Sequence, residues 1–257
     1  MNPFVQRVMN TTSVVFAIGV NYYSQAFGIN GNTVGSISNR YDNLFTPAGY
    51  AFSIWGIIFL MLVVYVIFQM IKRKDQYVVQ YFIASGSWFA TANFLNGLWV
   101  IVWLYEWTGL SVLIMSGLLF SLLKVLLSMR QVPSSLVSTI CMKIPIHIYT
   151  GWITVAIVAN SAAYLAKIEW TGAPLSEEAW TLVMILVAVL INIFILLTLQ
   201  IRSYVLVAIW ALLAISNKQA ETFEPISNFA VWCSVVLSVL VVVSFFWLPK
   251  NLKLSGQ

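Results

Sequence analysis

Long unbroken runs of apolar residues fill this chain, and they constrain its fold more than anything else in it. Of its 257 residues, 61% are hydrophobic and only 8% carry a charge. A soluble domain carries about 25% charged residues, so too few are present to cover a water-facing surface. A bilayer core ~30 Å thick takes ~20 apolar residues per helical span. Backbone amides in lipid must find partners within the structure, which leaves helices or closed barrels. The runs are continuous rather than alternating segments of about 10 residues, so a helix bundle is expected and a barrel is not.

Eight spans are read at 10–27, 47–71, 78–104, 108–129, 142–166, 178–199, 202–217 and 225–248. The boundary between the sixth and seventh is the least marked. Glu178 to Asn217 is 40 residues without Gly or Pro. As one helix it would reach ~60 Å, about twice the membrane. The polar patch Gln200-Ile201-Arg202-Ser203 is the expected turn, and seven spans is the fallback. Arg7 ahead of Val14 to Val20 imitates a signal peptide. The bulky Asn21-Tyr22-Tyr23-Ser24 offers no small-residue cleavage site, so the segment is read as a retained helix.

Charge tests the eight-span reading. It puts Arg7, Lys72, Arg73, Lys74, Lys124, Arg130, Lys143, Arg202, Lys250 and Lys253 on one face, ten of the 13 basic residues. Arg40, Lys167 and Lys218 fall on the other. Asp75 is the lone acid of the basic face, against Asp42, Glu106, Glu169, Glu177, Glu178, Glu221 and Glu224 opposite. The positive-inside rule then places both termini in the cytoplasm, and the cell inner (plasma) membrane is the expected location. The net charge of +5 sits in these connectors and does not point to nucleic acid. The connector 28–46 is long and Gly/Asn/Ser-rich, and it ends at Pro47, a good first-turn residue. It is either a binding lid or a solvated tether.

Polar residues inside spans are costly in lipid and draw attention for that reason. Asn93 and Asn96 in the third span and Asn160 in the fifth are expected to face the bundle interior, as helix-bridging amides or ligand contacts. Asn192 lies in the sixth. His147, the only histidine, is a helix-interior hydrogen-bonding residue or an axial haem ligand. Among 11 tryptophans, Trp88, Trp107, Trp170, Trp180 and Trp247 lie near span ends, whereas Trp55, Trp99, Trp103 and Trp152 lie deeper. Trp99 and Trp103 share a face with Asn96 by their i, i+4 spacing. Aromatics beside a few amides suit a flat, mostly apolar ligand. Cys141 and Cys233 are expected at opposite ends of their helices as packing residues. No Ser/His/Asp order, phosphate-cradling loop, intramembrane carboxylate pair or mid-helix lysine is present, so binding is favoured over catalysis.

Three stretches resemble one family. Thr46-Pro47-Ala48-Gly49-Tyr50-Ala51-Phe52-Ser53-Ile54-Trp55 resembles the Pro-rich aromatic opening of the second helix in the TspO/MBR family, the tryptophan-rich sensory and translocator proteins. Leu95-Asn96-Gly97-Leu98-Trp99 is similar to the family's Leu-Asn-x-x-Trp. Pro145, Tyr149, Trp152, Ala156 and Asn160 resemble its fifth-helix pattern, with the Tyr displaced by His147 and Ile148. Thr46 replaces a family proline, and the family's Trp-rich first loop is absent.

The resemblance covers about residues 10–166. It implies a five-helix unit over 1–166, with a pocket capped by the first loop. Residues 167–257 would add three helices and a short basic tail. Family ligands include porphyrins, haem and sterols, and porphyrin degradation has been proposed for some members. The implied ligand contacts are Pro47, Tyr50, Phe52, Trp55, Asn96, Trp99, Pro145, Tyr149, Trp152, Ala156 and Asn160, joined by Asn93, Trp103 and His147 from the reading above. The chain is thus expected to be an all-α polytopic sensor or transport-associated receptor for a tetrapyrrole-like molecule. Secondary transport and porphyrin breakdown are the alternatives. Porphyrin or haem is the candidate bound group, with no metal site. The expected partners are the bilayer, a hydrophobic small molecule and a second copy in a homodimer.

Overall fold

The computed structural model describes residues 2–247, which are helical with no strand among them. Lys250 and Lys253 of the charge argument lie outside the described residues. Helix α1 (Pro3–Ala26) starts where the Asn2 side chain accepts the Phe4 N–H at 2.8 Å, with Pro3 in the first turn. Connector 28–46 contains α2 (Val34–Arg40), begun by a reciprocal Thr33–Ser36 capping box. Val34 and Ile37, one turn apart on α2, are buried. The connector is therefore a folded cap and not a tether.

A 3-10 turn at Gly49–Ser53 leads into α3 (Ile54–Ile71). Next come α4 (Gln76–Ser85), α5 (Trp88–Leu104) and α6 (Thr108–Arg130). A short turn, α7 (Leu136–Ser138), passes through a π-turn into α8 (Ile144–Lys167). Helix α9 (Glu177–Phe194) is prolonged by a π-turn to Leu199. Helices α10 (Arg202–Gln219) and α11 (Glu224–Trp247) complete the chain.

A helix stands at each of the eight expected segments. Among the described residues, five helical runs are long and apolar enough to cross a membrane, Gly49–Ile71, Thr108–Arg130, Leu136–Lys167, Glu177–Leu199 and Glu224–Phe246, and Gln76–Ser85 with Trp88–Leu104 would make a sixth as one broken span. The chain is an integral membrane protein. Helices α1 and α10 are less apolar, because α1 opens through Gln6, Arg7, Asn10, Thr11, Thr12 and Ser13, and α10 closes through Ser216, Asn217, Lys218 and Gln219.

The segment expected as one span at 78–104 is two helices bent by 60°. Gly86 sits at φ +53°, which ends α4 and which a side chain would disfavour. Gln6 of α1 fills the break, its amide donating to the Phe82 carbonyl at 2.7 Å and the Gly86 carbonyl at 2.5 Å. Backbone groups freed in lipid must be satisfied in this way. The turn between α9 and α10 falls where the polar patch predicts it, with Gln200 at φ +57°.

Helices α1, α3, α5, α6 and α8 enclose one core, and α10 lies along α8. Gly151 permits that approach, since a Cβ there would sit 2.9 Å from the Tyr204 carbonyl oxygen. Charged side chains bond across helices near their ends. Arg7 reaches the Arg73 carbonyl, Arg130 the Thr198 carbonyl, and Arg202 the Ser244 hydroxyl and carbonyl. Around the cap, Glu106 pairs with Arg40, Asp42 with Lys218 at 3.3 Å, and Glu177 accepts the Leu44 N–H.

Candidate functional site

Helix α8 supplies one wall of a cavity beneath the cap. At 100° per residue, Trp152, Ala156, Ala159, Asn160 and Ala163 form a stripe along it, and all five line the cavity. The small side chains of Ala156, Ala159 and Ala163 leave space that Trp55 of α3, Trp99 and Trp103 of α5, and Phe52 of the 3-10 turn partly fill. Val34 and Ser38 of α2, with Thr46 and Pro47, close the top.

The aromatic walls hold one another. The rings of Trp99 and Trp103 stack with centroids 5.9 Å apart. Trp152 meets Trp55 edge-on at 6.4 Å and Phe52 edge-on at 6.3 Å. The Trp99 indole N–H donates to Asn160 Oδ1 at 2.7 Å, and Asn160 Nδ2 donates to Ser111 Oγ at 2.8 Å. Asn160 thereby ties α5, α6 and α8 together. The Trp103 N–H donates to the Val34 carbonyl at 3.3 Å, fixing the cap on α5. Trp152 differs from both. It is 2% exposed, and its indole N–H has no acceptor among the described residues.

The cavity is narrow, about 50 Å³. Small-molecule sites run to ~300–1,000 Å³. A second cavity of about 400 Å³ adjoins it, lined by Ile18, Asn21, Tyr22 and Gln25 of α1 and Gly56 and Phe59 of α3. Val34, Phe52 and Trp55 line both and form the partition between them.

Of the residues expected from the sequence, Pro47, Phe52, Trp55, Trp99, Trp103, Trp152, Ala156 and Asn160 come together in the cavity lining. Tyr149 stands behind it, edge-on to Trp55 at 6.0 Å. Asn96 accepts from Asn21 Nδ2 at 2.9 Å, bridging α1 to α5 beside the second cavity. Asn93 and Asn192 turn their amides back on the Phe89 and Ala188 carbonyls of their own helices. Tyr50 is 44% exposed and packs edge-on against Trp210 of α10. Pro145 is buried two turns below Trp152. His147 faces α10, where Nδ1 meets Ser203 Oγ at 3.0 Å. It does not line the cavity, so a haem there would find no imidazole ligand. Both cysteines are free. No group of three or more His, Cys, Asp and Glu side chains gathers among the described residues.

Val34, Ser38 and Thr46 beneath the cap and Val155, Ala159 and Ala163 of α8 line the cavity although the sequence reading did not name them as contacts, and Asn21 of α1 does so for the second cavity. The spacing of Ala156, Ala159 and Ala163 was a legible signal for a small-residue stripe, and Val34 with Ile37 for a buried face. At the rim, Tyr41 donates to Glu106 Oε2 at 2.5 Å. Burial first, then this bond to a carboxylate, raises the phenol above its ordinary value.

A family model described as TSPO-like protein matches residues 7–243, nearly the whole chain. The chain belongs to the TSPO-like family. The matched stretch runs through α9 and α10 and into α11 as well as the earlier helices. No curated protein and no solved structure matches this TSPO-like chain.

Proposed function

We propose that this TSPO-like protein is a membrane receptor that takes a flat, largely apolar small molecule bearing one hydrogen-bond acceptor into the tryptophan-walled cavity. The observation that carries the reading is Trp152, a buried N–H donor without a partner on the wall of an apolar space. A buried unpaired donor costs ~1–3 kcal/mol, which an acceptor on a guest would recover. The tetrapyrrole that the family resemblance implies needs more than the narrow cavity. Withdrawal of Phe52 and Trp55 would join it to the larger cavity between α1 and α3 and give a planar macrocycle room. The ligand contacts in this reading are Trp55, Trp99, Trp103, Trp152, Ala156 and Asn160, with Pro47 and Phe52 at the mouth. A sensing or transport-associated role fits better than catalysis, because no titratable side chain lines the cavity.

The reading includes eight crossings and a cytoplasmic location for both termini. Separate cross-helix bonds made by Arg7, Arg130 and Arg202 near the helix ends of one side, and the contacts of Asp42, Glu106 and Glu177 near those of the other, support it. The test of binding is tryptophan fluorescence in detergent titrated with protoporphyrin IX. Saturable quenching is expected, weakened about tenfold in W152F. Quenching that never saturates, or that is identical in W152F, contradicts the proposal.

A further inference from the structure

A different cavity, of about 170 Å³, lies at the basic end of the bundle, lined by Pro3, Gln6 and Arg7 of α1 and Phe82, Ile83 and Gly86 around the end of α4. Arg7 is the charged group in it. Its Nη2 donates to the Arg73 carbonyl at 2.9 Å, and the guanidinium lies 5.1 Å above the Phe82 ring centre. Its Nε is enclosed and has no partner. No carboxylate reaches it: the ion pairs among the described residues join Arg40 to Glu106 and Lys218 to Asp42. Asp75, the acid of this end, spends its side chain on the Tyr77 and Val78 N–H groups at the start of α4. Gln6 spends its amide on the Phe82 and Gly86 carbonyls. Arg7 is half-buried, with its Nε covered, and its guanidinium has no carboxylate counter-ion among the described residues.

The surroundings specify the missing partner. Lys72, Arg73 and Lys74 form an exposed turn bonded to Arg7 through the Arg73 carbonyl. Beside the cavity, Ile83 is 75% exposed and Phe4 69% exposed, an apolar lip. Guanidinium groups hold phosphate oxygens through paired N–H donors. Basic clusters at a span end attract anionic headgroups at about 1 kcal/mol per Lys or Arg, as the general rule has it. We propose that this cavity binds the phosphate of an anionic phospholipid, with the acyl chains running over Ile83 and Phe4. A zwitterionic lipid would set its own cation against Lys72, Arg73 and Lys74. A free phosphate would leave the apolar lip unused.

The test is native mass spectrometry of the full-length protein in detergent, offered phosphatidylglycerol or phosphatidylcholine. Retention of phosphatidylglycerol is expected to exceed that of phosphatidylcholine about tenfold and to fall about tenfold in R7Q. The K72Q/R73Q/K74Q variant changes exposed side chains outside the cavity, and its preference is expected to drop several-fold, a readout independent of how R7Q folds. Inorganic phosphate is expected not to displace the lipid. Equal retention of the two lipids, undiminished retention in both variants, or displacement by inorganic phosphate alone would overturn the assignment.

Discussion

Trp99 and Trp152 face the same cavity, yet substitution should affect them differently. Trp99 donates to Asn160, so W99F removes a helix-bridging bond. It should cost about 0.6–2 kcal/mol of stability, read as a lower thermal midpoint in detergent. Trp152 has no acceptor, so W152F should leave the midpoint unchanged or raised while weakening the guest. A fall in midpoint as large as that of W99F would show that Trp152 has a hidden structural partner. Phe52 is part of the partition between two cavities. F52A should speed association of protoporphyrin IX in stopped-flow quenching, and an unchanged rate would count against the joined-cavity route.

Among the C-terminal helices, α10 acts on the cap. Ala48 N–H donates to the Ala214 carbonyl at 3.0 Å, Trp210 to the Ala51 carbonyl at 3.2 Å, and Gln219 to the Leu44 carbonyl at 3.1 Å. All three donors or acceptors on the second side belong to α10, which approaches α8 at Gly151. G151A should push α10 outward, cost roughly 1–3 kcal/mol and speed hydrogen exchange across Leu44–Ala51. Unchanged exchange there would show that α10 does not hold the cap.

The helices themselves were legible in the sequence, because apolar length specifies them. The break at Gly86 was not. An isolated glycine is tolerated within a helical pattern, and its positive φ depends on Gln6 arriving from α1. Similar physics explains which motif residues reach the cavity. Phe52 near the end of the 3-10 turn and Trp55 in the first turn of α3 are three residues apart and share a face, which Tyr50 does not. Five residues along α8 rotate His147 about 140° from Trp152, toward α10.

At the scale of the whole molecule, the eight-span reading sorts charge between two ends, and this sorting predicts how the protein sits in the membrane. With Cys141 and Cys233 replaced by serine, E221C in the α10–α11 turn should react with a membrane-impermeant maleimide added to intact cells. K74C in the α3–α4 turn should react after lysis alone. Both positions are exposed, so burial would not explain a failure. The reverse pattern would invert the topology. The bundle interior was the less legible part of the site, because the sequence names aromatic residues without saying how much of the space they fill.

The most direct test is a crystal structure with a brominated flat aromatic guest. The account predicts an anomalous bromine peak among Trp55, Trp99, Trp103 and Trp152, with an acceptor of the guest on the Trp152 N–H and Phe52 displaced. Bromine peaks confined to the lipid-facing surface, with the four indoles closed on one another, would contradict it.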